Sequence, residues 1–407
     1  MKRREALLAI CFFCFFYPIS VNDEQGTGLA ANYSFALLPL LYVATRASAK
    51  KVPPVVILSM VVFALIFFGA MTYDLSDYPI RRLSSFLIFM TMFSFAFVEI
   101  DAQMVRAFKA AVIGIGMYFS ISGIYMFVTH GGSDLFSAKE FGSQRFGFMY
   151  LFGLWLTYFY HPETRARAIA KYAVATVLSA GLLLTFSRAS IVALIGSASL
   201  FGLAKSATWA RRPSRREVKR AVVSISAVTV LVFALSSLLP TTVEFFRVRL
   251  FEYSFNEEAV AGDLADRTDS LGTRLVVASE VLGFVKRNPF TGSGYLGVWI
   301  LPDLADIAGS AHSQYLDVLF RTGVAGFAAY LSVLFFLMRQ LRQRDPALFW
   351  GMSGVLLYGF WHETFKESQG ACLLAFLLGS AVQSWRASRP WRAREWHPAS
   401  LPIPARN

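Results

Sequence analysis

The chain has 407 residues, of which 56% are apolar, 15% aromatic and only 16% charged. Soluble globular proteins carry about 25% charged residues, so this composition excludes a water-soluble enzyme, and its apolar excess excludes a disordered chain. The net charge of +13 would suggest nucleic acid in a soluble protein; here the question is how that charge divides between two sides of a membrane.

Reading apolar runs of roughly 17–20 residues as spanning helices predicts twelve of them, near 6–21, 29–45, 52–71, 83–100, 108–128, 146–161, 169–186, 189–205, 221–239, 323–340, 347–366 and 369–386. The short alternating segments of a transmembrane β-barrel are not seen. Pro18 to Asn22 is a poor cleavage site, so the first run reads as a retained helix rather than a signal peptide. With the N-terminus in the cytoplasm, led by Lys2, Arg3 and Arg4, two thirds of the 39 Lys and Arg fall inside and most of the 26 acidic residues fall outside. The cluster Arg211, Arg212, Arg215, Arg216, Lys219 and Arg220 is the strongest cytoplasmic marker. It sets topology, and no nucleic-acid partner is expected. The fold class is therefore an all-α polytopic membrane protein with about 12 transmembrane helices and both termini inside. Residues 1–239 hold spans one to nine, 240–322 form a long periplasmic loop, 323–386 hold spans ten to twelve, and 387–407 form a cytoplasmic basic tail. Cys11, Cys14 and Cys372 sit inside apolar runs and read as small buried residues, with neither metal-ligand spacing nor a disulfide pair.

The segment 240–322 is the one large external piece, and loops of that length are usually functional. It runs through an acidic stretch from Glu257 to Asp269, an amphipathic helix over Leu271 to Lys286, and a turn-rich Asn288-Pro289-Phe290-Thr291-Gly292-Ser293-Gly294-Tyr295. It ends on Ser310-Ala311-His312-Ser313-Gln314-Tyr315-Leu316-Asp317, which leads into span ten. Gly292-Ser293-Gly294 reads as a turn rather than a nucleotide loop.

Several residues on the outer face can carry chemistry. Arg188, between two apolar helices, is either a snorkelling interfacial arginine or an anion clamp for phosphate. Arg274 opens the loop helix and Arg267 precedes it by seven residues; each is either a surface charge facing nearby acids or an anion ligand. His312, at the outer end of a helix, is either a surface histidine or a general base, since imidazole titrates near neutral pH. His362 and Glu363 are either a second acid/base group or ordinary residues of an external turn. Arg145 and Arg321 are further candidates for holding an anion. Arginines with one base, and no carboxylate cluster or zinc ligand set, suit displacement of a phosphate leaving group by a hydroxyl.

Three pieces of the chain together resemble the O-antigen ligase and polymerase superfamily of bacterial envelope glycan assembly. They are Leu184-Thr185-Phe186-Ser187-Arg188; Gly272-Thr273-Arg274 through to Gly294; and His312-Ser313 followed after nine residues by Gly323 and then Gly326. The resemblance covers roughly residues 170–340. It implies a glycan donor on undecaprenyl diphosphate, a lipid A-core or growing glycan acceptor, and a bacterial inner-membrane location with a periplasmic site. It further implies His312 as the catalytic base, Arg188 and Arg274 on the donor diphosphate, inversion at the anomeric carbon, and neither metal nor cofactor. The third piece has Ser313-Gln314 where many relatives carry asparagine after the histidine. O-antigen ligase is the first expectation, with O-antigen or exopolysaccharide polymerase as the alternative. The competing class is a twelve-span transporter or flippase, which would be expected to show inverted repeats and charge near the midplane.

Overall fold

The computed structural model describes residues 51–70, 78–130, 147–185, 187–208, 271–302, 311–365 and 368–388. Among them are ten α-helices and no strand: α1 (Pro54–Ala70), α2 (Pro79–Thr91), α3 (Ala102–His130), α4 (Gly147–Phe159), α5 (Arg165–Leu184), α6 (Arg188–Thr208), α7 (Leu271–Arg287), α8 (Gln314–Arg344), α9 (Pro346–Tyr358) and α10 (Ser368–Ser388). The all-helical expectation holds for these residues. The expected spans at 6–21, 29–45 and 221–239, the basic cluster from Arg211 to Arg220, and the tail beyond Ser388 lie outside them.

Three helices are long and apolar enough to cross a membrane, within Ala102–Tyr125, Arg165–Leu184 and Gln314–Arg344. α1, α4 and α9 are apolar but shorter. At 1.5 Å per residue the 13 residues of α4 or α9 rise about 20 Å, less than the roughly 30 Å hydrocarbon core. The count of twelve spans is thus not established by the described helices.

One expected span differs outright. The apolar run at 83–100 does not form one helix. α2 stops at Thr91, the chain makes a 3-10 turn over Ser94–Phe97, and Val98 is extended. The reason is tertiary. Phe95 meets the Phe376 ring of α10 edge-on at 5.8 Å, and a Cβ on Gly379 would lie 2.6 Å from the Phe95 carbonyl oxygen. Asp101 then restarts the chain by accepting from the Met104 N–H at 2.8 Å, capping α3. An apolar run that folds back against a helix has the same composition as one that crosses a membrane.

α10 is the central helix. Ala371 to Leu378, with Ala381 and Val382, are all at most 3% exposed. Its Phe376 stacks on Phe108 of α3 at 4.0 Å, and it packs on α8, α2 and the 3-10 turn. Around it α4 packs against α9, α3 against α4 and α5, and α8 against α1. α1 buries one stripe, Val56, Ser59, Phe63, Ile66, Phe67 and Ala70, while Leu58, Leu65 and Phe68 on its other side are more than 60% exposed. A helix apolar on both its packed and its exposed face fits lipid, not water. Basic side chains mark one end of the bundle: Arg165 and Arg167 open α5, Lys205 lies in the last turn of α6, Arg342 and Arg344 close α8 and Arg386 closes α10. At that end Lys109 of α3 donates to Asp345 at 2.7 Å, and Asp345 caps α9 through the Leu348 N–H.

Candidate active site

At the opposite end of the bundle the start of α6, the segment before α8 and the turn after α9 come together. Ser187 precedes α6, and its hydroxyl accepts from the Ser190 N–H at 3.3 Å. Thr185, which closes α5, accepts from the Ser187 N–H at 3.2 Å. These bonds of Thr185 and Ser187 cap the start of α6, whose first residue is Arg188, where helix N–H groups favour anions. Ser190, one turn in, packs so closely on Gly147 at the start of α4 that any side chain there would collide with it; Tyr358 at the end of α9 closes the same corner. The His362 ring stacks on Tyr358 at 4.7 Å with 17° between planes.

His312 stands before α8 with a φ of 50°, the left-handed region that a non-glycine residue adopts at a cost of roughly 1–2 kcal/mol. Its neighbours hold it there. The Ala311 N–H donates to Glu363 Oε1 at 2.5 Å. The Gln314 N–H, unsatisfied by its own helix, donates to the carbonyls of Gly359 at 2.8 Å and His362 at 3.2 Å. The Gln314 side chain accepts from the Phe365 N–H at 2.6 Å. Every one of these partners comes from the turn after α9, so His312 lies on a short segment strapped to residues 359–365.

α7 reaches the same place from the loop. Val277, Val281 and Val285 form its buried stripe, in one apolar cluster with Val298, Leu301, Ala311 and Phe320. Arg274 is three residues before Val277 and so shares that face. It is half-buried, whereas Leu275 and Val276 are 63% and 50% exposed. The buried stripe of α7 thus shares a cluster with Ala311, the residue before His312. Arg145 and Arg267 lie outside the described residues.

Arg321 has a different setting from the one its sequence position suggests. It is 4% exposed. Its Nε donates to both oxygens of Asp317 at 2.8 Å, and its Nη1 donates to the Ser85 hydroxyl and the Tyr295 carbonyl, each at 3.0 Å. Its partners are internal, and they organise the turn 288–297. That turn inserts between α1, α2 and α8, where bare backbone must find protein partners. Arg82 Nε donates to the Gly294 carbonyl at 3.0 Å, and the Ser293 hydroxyl to the Leu296 carbonyl at 2.6 Å. The Ser293 N–H donates to the Phe320 carbonyl at 2.7 Å, the Tyr295 N–H to the Arg321 carbonyl at 2.9 Å, and the Val324 N–H to the Pro289 carbonyl at 2.7 Å. Tyr295 itself is fully buried among Phe67, Phe86 and Phe89, and its hydroxyl donates to the Phe63 carbonyl at 2.7 Å. Burial pushes its phenol well above the usual tyrosine range, so it stays a neutral donor.

The two glycines after the histidine have separate tasks. Gly323 has φ 63° and ψ −170°, and it kinks α8 where the loop was expected to give way to span ten. A Cβ there would lie 2.6 Å from the Phe290 and Pro289 carbonyl oxygens. Gly326, one turn on, leaves room for Thr322 and for Ile66 of α1. Sequence reasoning missed Gln314, Asp317 and Arg82 as organisers. Asp317 and Arg321 were four apart on one helix, a spacing that signals such a pair; Arg82 carried no such signal.

A family model described as O-antigen ligase matches residues 173–331. Over that stretch the chain is similar to that family, which supports the O-antigen ligase/polymerase superfamily. The match runs from α5 to α8 and encloses Arg188, Arg274 and His312, while His362 and Glu363 lie beyond it. No curated protein matches the sequence. Members of that superfamily are glycan ligases or polymerases, and the match supports an activity of that general kind. Among the described residues no group of three or more His, Cys, Asp or Glu is arranged to hold a metal ion.

Proposed function

We propose that the protein transfers a glycan from undecaprenyl diphosphate to an acceptor hydroxyl on the periplasmic side of the bacterial inner membrane. His312 accepts the proton of the attacking hydroxyl. The hydroxyl oxygen bonds to the anomeric carbon as the bond from that carbon to the diphosphate breaks, with inversion. Arg188 and Arg274 carry the charge that collects on the departing diphosphate. The scheme needs no metal. Its acceptor is lipid A-core if the enzyme is an O-antigen ligase. The alternative is a polymerase that joins lipid-linked O-antigen or exopolysaccharide units.

The observation that supports this reading most is that one O-antigen ligase match encloses all three residues. The anchored, left-handed backbone of His312 adds to it, because conformations of this kind persist where the surroundings over-determine them, often at working sites. His312→Ala is expected to abolish glycan transfer while the protein still reaches the membrane at normal levels. Near-wild-type product from that variant would refute the base assignment. A deletion strain separates the branches. Loss of all lipid A-linked glycan with lipid-linked polymer accumulating indicates a ligase. Single units left on lipid A indicate an O-antigen polymerase, and loss of a secreted polymer alone indicates an exopolysaccharide polymerase.

A further inference from the structure

The strap that holds His312 contains a carboxylate that sequence alone leaves open as an acid or base. Glu363 lies outside the family match, on the turn after α9, 51 residues from His312 in sequence. Its Oε1 accepts the N–H of Ala311 at 2.5 Å. Three further bonds at Gln314 fasten the other side of His312 to the same turn, at Gly359, His362 and Phe365. His312 thus has φ 50° between two backbone points that are both tied to residues 359–365. A left-handed histidine relaxes to an ordinary conformation when its flanks are released, and its imidazole then swings with the backbone.

We infer that Glu363 is a positioning residue: its carboxylate oxygen works as a hydrogen-bond acceptor that fixes the backbone entering His312, and it exchanges no proton with the glycan. This rests on the assignment of His312 as the base. The acceptor and proton-exchange roles make opposite demands on the side chain. An acceptor needs an oxygen at the end of a four-atom reach, which glutamine also supplies, while aspartate keeps the charge but withdraws the oxygen by one methylene. A proton-exchanging group needs the ionisable carboxyl, which glutamine lacks.

The test uses the full chain in a deletion strain, with Glu363→Gln, Glu363→Asp, Glu363→Ala and His312→Ala matched by immunoblot of isolated membranes. The initial rate of glycan product from the strain's own lipid-linked donor is measured against pH. Glu363→Gln is expected within about three-fold of wild type with an unchanged pH profile, and Glu363→Asp and Glu363→Ala at least about tenfold down, since a displacement near 1 Å can cost up to about a hundredfold. If Glu363→Ala accumulates poorly, the order of Gln above Asp carries the test. Aspartate outperforming glutamine, loss of one limb of the pH profile in Glu363→Gln, or an unimpaired Glu363→Ala would each overturn the inference. If His312→Ala remains active, the base assignment itself falls, and the Glu363 inference falls with it. If His312→Ala is inactive and Glu363→Ala is not, only the Glu363 inference falls.

Discussion

His312 shows how much a residue depends on what flanks it. Its type and its place before a helix were legible in the sequence. Its left-handed backbone and the contacts from residues 359–365 were not, because they join positions about fifty residues apart through backbone groups that every residue carries. The start of α6 is written more locally: Thr185 and Ser187 are capping residue types, and they cap the helix that Arg188 opens. If Arg274 holds the diphosphate through its planar fork, Arg274→Lys will not substitute for it. Transfer per unit donor is expected to fall roughly tenfold or more in both Arg274→Lys and Arg274→Ala, as measured by a donor titration; full activity in the lysine variant would show that a point charge suffices. Tyr295 makes a second prediction. Its phenol is held neutral, so its contribution is complete below the unfolded tyrosine value near 10 and is lost as pH rises beyond it, because the unfolded chain then ionises first. Unfolding in detergent should be insensitive to this group up to pH about 10 and ease above it. Tyr295→Phe should remove part of that alkaline sensitivity and cost about 1 kcal/mol at neutral pH, the net worth of one buried hydrogen bond.

Elements were read well where composition and periodicity agree. The loop helix expected over Leu271 to Lys286 is α7, and the split after span seven falls at Ser187. The run at 83–100 was misread because burial against α10 and burial in lipid demand the same apolar side chains. The kink in α8 was half legible: two glycines stood out, but only contacts reveal that Gly323 serves the turn and Gly326 serves the crossing with α1. The difference is testable. Gly323→Ala forces a side chain into a region of backbone space essentially reserved for glycine and against two carbonyls. It should destabilise by roughly 3 kcal/mol or more. The readout is a clear drop in the midpoint of thermal aggregation in detergent, and an unchanged midpoint would contradict the conformation described. Gly326→Ala meets side-chain atoms, Thr322 and Ile66, and should cost less.

At the scale of the molecule, the net charge is best read as an address. Basic residues cluster at the ends of α5, α6, α8 and α10, away from His312. With that end cytoplasmic, a single cysteine at Thr164 should react with an impermeant maleimide only after the membrane is opened, and one at Phe290 should react in intact spheroplasts. The reverse pattern would invert the topology and remove the periplasmic site with it.

The turn 288–297 also fixes an order of events during synthesis. Its anchors are Phe63, Phe67 and Arg82 on one side and Phe320 and Arg321 on the other. α1 and α2 leave the ribosome some two hundred residues before the turn that fills the gap between them, and α8 follows later still. Until then Arg82 and the packed face of α1 have no occupant from the turn. Assembly of this site is therefore one of the last acts of biogenesis, and a nascent chain arrested before α8 should expose the α1–α2 gap to membrane chaperones or proteases.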